Sequence, residues 1–91
     1  MKGKNNMAVV EIFWRGGCGF CTRVMELLDS KGVTYASYNI WESSEAKQEM
    51  NDRVPNVTSV PQVFIHGQHV GGCDDTFALE NSGKLDELLS K

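Results

Sequence analysis

Ile12-Phe13-Trp14-Arg15-Gly16-Gly17-Cys18-Gly19-Phe20-Cys21-Thr22-Arg23-Val24 joins an apolar run to two cysteines spaced by two residues. The run that leads in, from Ala8 to Phe13, is dominated by Val9, Val10, Ile12 and Phe13, the composition of a strand buried on both faces. The run that leads out places Val24, Leu27 and Leu28 at helical spacing, with Gly32 as a stop. Both cysteines therefore fall where a strand hands over to a helix N-terminus. Backbone N–H groups without intrahelical partners, together with the helix dipole, favour a thiolate there. Cys18 is the expected nucleophile, and a CxxC in this position points to redox chemistry. The other reading of a CxxC, half of a tetrahedral zinc site, lacks a second CxxC or CxxH pair.

Working outward, Thr34 to Ile40 is rich in β-branched and aromatic residues and alternates, so it is expected to pair parallel to the first strand across a right-handed βαβ crossover. Ser43 or Ser44 is placed to cap a second helix over Glu45 to Arg53, with Ala46 and Met50 facing inward and Pro55 ending it. Val60 to Ile65 reads as a third strand with Pro61 at its start, and His66-Gly67-Gln68-His69 as a hairpin into a short return strand ending at Gly71. The two histidines are hairpin residues with no assigned role. Asp74 or Asp75 is expected to cap a helix that Asn81-Ser82-Gly83 interrupts, after which Leu85, Leu88 and Leu89 form a helical face. Trp14, Tyr38 and Trp41 are read as core or core-rim residues. The order βαβ, helix, ββ, helix predicts an α/β thioredoxin-like fold, a central four-stranded mixed sheet flanked by helices.

The chain has 91 residues, of which 41% are hydrophobic and 23% charged, with a net charge of -3. That is one soluble domain with a small core. Basic and acidic residues are interspersed, leaving no stripe for nucleic acid and no polybasic segment for a membrane surface. No apolar run reaches the roughly 20 residues that span a bilayer. Met1-Lys2-Gly3-Lys4-Asn5-Asn6 lacks the apolar segment of a signal peptide, and the expected location is the cytoplasm. Residues 1–6 are read as a disordered extension or an expression remnant, and 7–91 as the domain. In a reducing compartment a Cys18–Cys21 disulfide is a catalytic state and not a staple. Cys73 is read as a small packing residue.

Three motifs, Cys18-Gly19-Phe20-Cys21, Ser59-Val60-Pro61-Gln62-Val63-Phe64-Ile65 and Gly71-Gly72-Cys73-Asp74-Asp75, resemble those of a glutaredoxin, and the likeness runs over about residues 7 to 91. The resemblance implies a glutathione-dependent thiol–disulfide oxidoreductase acting on protein disulfides and glutathione mixed disulfides, with ribonucleotide reductase among the compatible protein substrates. It makes Cys18 the attacking thiolate and Cys21 the resolving thiol. Arg15 stands where the family usually carries lysine, and is implied to pair with the glycyl carboxylate of glutathione. Phe20 is implied to flank the substrate groove. In the family the proline at Pro61 is cis, and the main chain at Val60, beside Ser59, pairs with the cysteinyl backbone of glutathione. Cys73 and Asp74, at a helix start, are implied to receive the γ-glutamyl end.

Gly19 and Phe20 replace the Pro and Tyr of the commoner dithiol members and resemble the monothiol class instead. Proteins of that class often hold a two-iron, two-sulfur cluster between two subunits with glutathione as extra ligands. The alternative function is therefore a cluster carrier or sensor, with Cys18 as the protein ligand and a cluster-bridged dimer. The Trp-Pro pair and the extended loop of the monothiol class are absent. In the oxidoreductase form a monomer without bound metal is expected.

Overall fold

The computed structural model describes residues 9–91; Ala8 and the extension read at residues 1–6 lie outside the described residues. β1 (Val10–Trp14) occupies the interior of a four-stranded sheet of order β2-β1-β3-β4. It runs parallel to β2 (Tyr35–Asn39), with Val10 opposite Tyr35 and Trp14 opposite Asn39. On its other side it is antiparallel to β3 (Gln62–Ile65), which in turn pairs antiparallel with β4 (Gln68–Gly71). Alternation along β1 then sorts the core into two layers. Val10 and Ile12 join Val63 and Ile65 under Val24 and Leu28 of α1 (Gly19–Ser30), Cys73 of α3 (Cys73–Ser82) and Leu85 of α4 (Lys84–Leu89). Phe13 and Phe64 face the opposite layer, with Ala46 and Met50 of α2 (Ser44–Arg53). Element order, mixed sheet and flanking helices all match the expected thioredoxin-like architecture.

The helix starts show where local chemistry decides a boundary. Ser43 is the α2 cap, because its hydroxyl accepts from the Ala46 N–H at 3.1 Å. The α3 start differs from expectation: Gly72 occupies the cap position, not Asp74 or Asp75. Asp75 instead reaches back from the first turn, accepting from the Gly72 N–H at 3.3 Å. The helix therefore begins earlier than read, and Cys73 lies in its first turn.

One side chain is not where the sequence placed it, and another received no reading from sequence. Trp41 is 68% exposed, outside the core and its rim, because it lies in the turn beyond β2, after Ile40. Glu11, in the middle of an apolar strand, is only 5% exposed. Its carboxylate accepts from Arg53 Nη1 and Nη2 at 2.9 and 3.2 Å and from the Tyr38 hydroxyl at 3.3 Å. Arg53 also donates to Glu49 at 2.7 Å and lies over Phe64, 4.9 Å from the ring centroid. No helix among the described residues is long and apolar enough to cross a membrane.

Candidate active site

β1 ends at Trp14, and the Gly16-Gly17 turn, with Gly17 at a φ of 73°, brings Cys18 to the cap position of α1 in extended backbone. There the Cys18 sulfur accepts from the Cys21 N–H at 3.2 Å, one of the free donors of the first helical turn. Its own thiol faces the Val60 carbonyl at 3.7 Å. Cys18 is 8% exposed, whereas Cys21, one turn further along α1, is fully buried. Burial, then the hydrogen bond with Cys18, pushes the Cys21 thiol up to about 12, against an opposing backbone hydrogen bond from Arg15. The pair is thus an outer sulfur presented by a helix end and an inner sulfur that holds its proton at neutral pH.

Two grooves meet beside Cys18 and share Ser59 and Val60. The first, of about 460 Å³, is bordered by Phe20, Pro61, Cys73 and Asp74, and Phe20 is 59% exposed. The Val60-Pro61 peptide bond is cis. Burial pushes the Cys73 thiol upward, with Arg23 opposing. The second groove, of about 330 Å³, carries Arg15, Trp41 and Lys47 and no acidic side chain. One groove is therefore acidic at Asp74 and Asp75, and the other cationic. An elongated ligand with a cation at one end and a carboxylate at the other fits across the Val60 backbone, next to the Cys18 sulfur.

The loop that forms this ridge is braced from beneath. Gln62, buried in β3, donates through Nε2 to the Ser59 carbonyl at 3.0 Å. Its Oε1 must then accept, and His69 Nε2 lies 2.6 Å from it, so that nitrogen carries the hydrogen. The imidazole also packs on Phe64, with centroids 5.1 Å apart. His69, read from sequence as a plain hairpin residue, is thus tied to the ridge through Gln62. The available signal was the glutamine itself, a polar residue within the apolar run Val60 to Ile65 that needs a partner once buried. At the far side, a Cβ on Gly71, whose φ is 124°, would overlap the Asp75 carboxylate that holds the start of α3.

The structure thus gathers Arg15, Cys18, Phe20, Ser59, Val60, Pro61, Cys73 and Asp74 along one edge, with Cys21 behind them. Among the described residues no three His, Cys, Asp or Glu side chains converge as a metal site.

A glutaredoxin family model matches residues 10–70. Glutaredoxin 3 of Escherichia coli strain K12 is 46% identical over 83 residues, which cover 91% of this chain and 99% of that protein. Glutaredoxin 1 of Rickettsia prowazekii is 37% identical over 87 residues, 94% of this chain and 92% of the relative. Among solved structures, a buckwheat glutaredoxin–glutathione complex aligns with a TM-score of 0.81 at 30% identity, over 91% of this chain and 77% of that one. The solution structure of a glutaredoxin from Brucella melitensis aligns at 0.75 with 42% identity, over 96% and 94%.

Proposed function

The chain belongs to the glutaredoxin family, and from that membership we propose that it is a glutathione-dependent thiol–disulfide oxidoreductase with Cys18 as nucleophile and Cys21 as resolving thiol. The observation that carries this reading is the meeting of an acidic and a cationic groove at Val60, whose carbonyl lies 3.7 Å from the Cys18 sulfur. A glutathionyl group laid along Val60 directs its γ-glutamyl ammonium toward Asp74 and its glycyl carboxylate toward Arg15, and brings its sulfur to Cys18.

The Cys18 thiolate attacks the glutathionyl sulfur of a mixed disulfide. A Cys18–glutathione disulfide forms, the old S–S bond breaks, and the substrate leaves as a thiolate that takes a proton from solvent. The thiolate of a second glutathione attacks the glutathionyl sulfur, releasing glutathione disulfide and restoring Cys18. On a protein disulfide the Cys18–protein bond is instead opened by Cys21, whose sulfur attacks that of Cys18. The protein sulfur leaves and takes up the proton Cys21 gives up, and a Cys18–Cys21 disulfide remains for two glutathiones to reduce. Family potentials of about -200 to -230 mV lie near the glutathione pool, so the pool sets direction. The proposed setting is a monomer in the cytoplasm, with protein disulfides, ribonucleotide reductase among them, and glutathionylated proteins as substrates.

A two-iron, two-sulfur cluster would draw one ligand, Cys18, from this chain. The buried, protonated Cys21 does not fit as a second.

The test is glutathione-coupled reduction of a small glutathione mixed disulfide by wild type, Cys18→Ser and Cys21→Ser at matched concentration. Activity that falls to background with Cys18 and survives without Cys21 supports the reading. A folded wild type with no turnover sinks it and turns attention to cluster binding after anaerobic reconstitution.

A further inference from the structure

Arg15 and Trp41 follow two parallel strands. Because Trp14 lies opposite Asn39, the chain leaves β1 and β2 on the same edge of the sheet. The segment after β2 is fixed there: the Ile40 N–H donates to the Trp14 carbonyl at 2.8 Å. The Asn39 side chain accepts from the Trp41 and Glu42 N–H groups at 2.9 and 3.3 Å. From this anchored backbone the indole stands out into solvent, where core packing gives no reason for it. What it touches is Arg15, whose guanidinium lies 4.8 Å from the ring centroid. Arg15 has no carboxylate within ion-pair distance among the described residues; Nη1 donates only to the neighbouring Gly16 carbonyl at 3.1 Å.

A long cation without a partner at a groove mouth samples many rotamers, and each ligand that binds it must suppress them. A flat ring beneath the guanidinium removes that freedom while leaving its edge donors open. We propose that Trp41 is a positioning residue for Arg15: the indole holds the guanidinium over the cationic groove, with the donors not engaged by the Gly16 carbonyl left open to a ligand. It thereby sets the preference for substrates whose glutathionyl group ends in a free carboxylate. This role rests on the glutathione-dependent reading above. It assigns to Trp41 no contact with the reacting atoms, and it makes the recognition of one end of the substrate depend on a residue 26 positions away from Arg15 in the chain.

Two probe substrates separate the possibilities: the mixed disulfide of cysteamine with glutathione, and the same compound with its glycyl carboxylate as the ethyl ester. Steady-state kinetics at fixed glutathione are measured for wild type, Trp41→Ala, Trp41→Phe, Arg15→Ala and the Arg15→Ala/Trp41→Ala double variant. Trp41→Ala is expected to raise KM for the free acid roughly two- to fivefold, the range of an exposed cation–π contact, with kcat held. The KM for the ester stays in place, Trp41→Phe recovers most of the loss, and in the Arg15→Ala background Trp41→Ala adds nothing. An equal rise in KM for acid and ester, or a full additional loss in the Arg15→Ala background, overturns the positioning role. Absence of glutathione-coupled turnover in wild type is a different result, which overturns the oxidoreductase reading itself.

Discussion

The Cys21 backbone N–H donates to the Cys18 sulfur at 3.2 Å, while the Cys21 side chain lies fully buried behind it. One residue thus supplies a backbone donor to its partner's sulfur and keeps its own sulfur neutral. The same helical turn gives two identical side chains unequal surroundings, which is what the proposed roles of nucleophile and resolving thiol require.

Alkylation reads this inequality directly. With iodoacetamide at about pH 7, mass mapping of the native protein is expected to find Cys18 labelled and Cys21 unlabelled, because only the thiolate reacts and Cys21 is pushed up to about 12 by burial. Labelling of Cys21 at a comparable rate in the folded state refutes the assignment. Stability follows the same shift. Between the ordinary thiol value of 9.0 and about 12 the unfolded chain releases the Cys21 proton and the folded chain keeps it, so stability falls as pH rises through that window and is intact below it. Tyr35 and Tyr38 are also raised by burial and act in the same direction, so Cys21→Ala flattens the alkaline loss only in part.

The Glu11–Arg53 pair carries a different expectation. Arg53→Met leaves a carboxylate buried at 5% exposure without its cation, and a loss of about 3–5 kcal/mol is expected in chemical denaturation. Adding Glu11→Leu to that variant removes the orphaned charge and is expected to recover most of the stability, since apolar replacement of a buried pair is often neutral. If the double variant is no better than the single, the pair is held for a reason other than charge satisfaction.

The brace under the Val60 ridge is the third test. Gln62→Leu removes the donor to the Ser59 carbonyl and the acceptor for His69. Ser59 and His69 are exposed and can turn to water, so the loss is that of ordinary hydrogen bonds, about 0.5–1.5 kcal/mol each. Because the ridge borders both grooves, KM for a glutathione mixed disulfide is expected to rise several-fold, with kcat less affected. A fall in thermal stability with KM unchanged would reduce the brace to a purely structural feature.

Which parts were legible follows from how far apart in the chain the interacting groups lie. The element order, the parallel β1–β2 pairing and the cysteines at a helix start came from periodicity and spacing within about ten residues, where one segment's pattern states its own structure. The α3 cap failed even at short range, because Gly72 has no side chain to announce a cap and the carboxylate that satisfies it comes from Asp75, three residues on. Glu11 reads as an unremarkable interruption of an apolar strand until Arg53, 42 residues later, is folded onto it.

The sequence by itself determined that this is a thioredoxin-like domain with a CxxC at a helix N-terminus, because strand and helix patterns and the CxxC are written in neighbouring residues. Tertiary structure alone decided that Val60, 42 residues from Cys18, faces its sulfur, that Trp41 stands in solvent under Arg15, and that His69 braces the ridge through Gln62. Those relationships arise where separate strands end on one edge or pair side by side, and contact across a sheet depends on register and packing that no single stretch of chain contains.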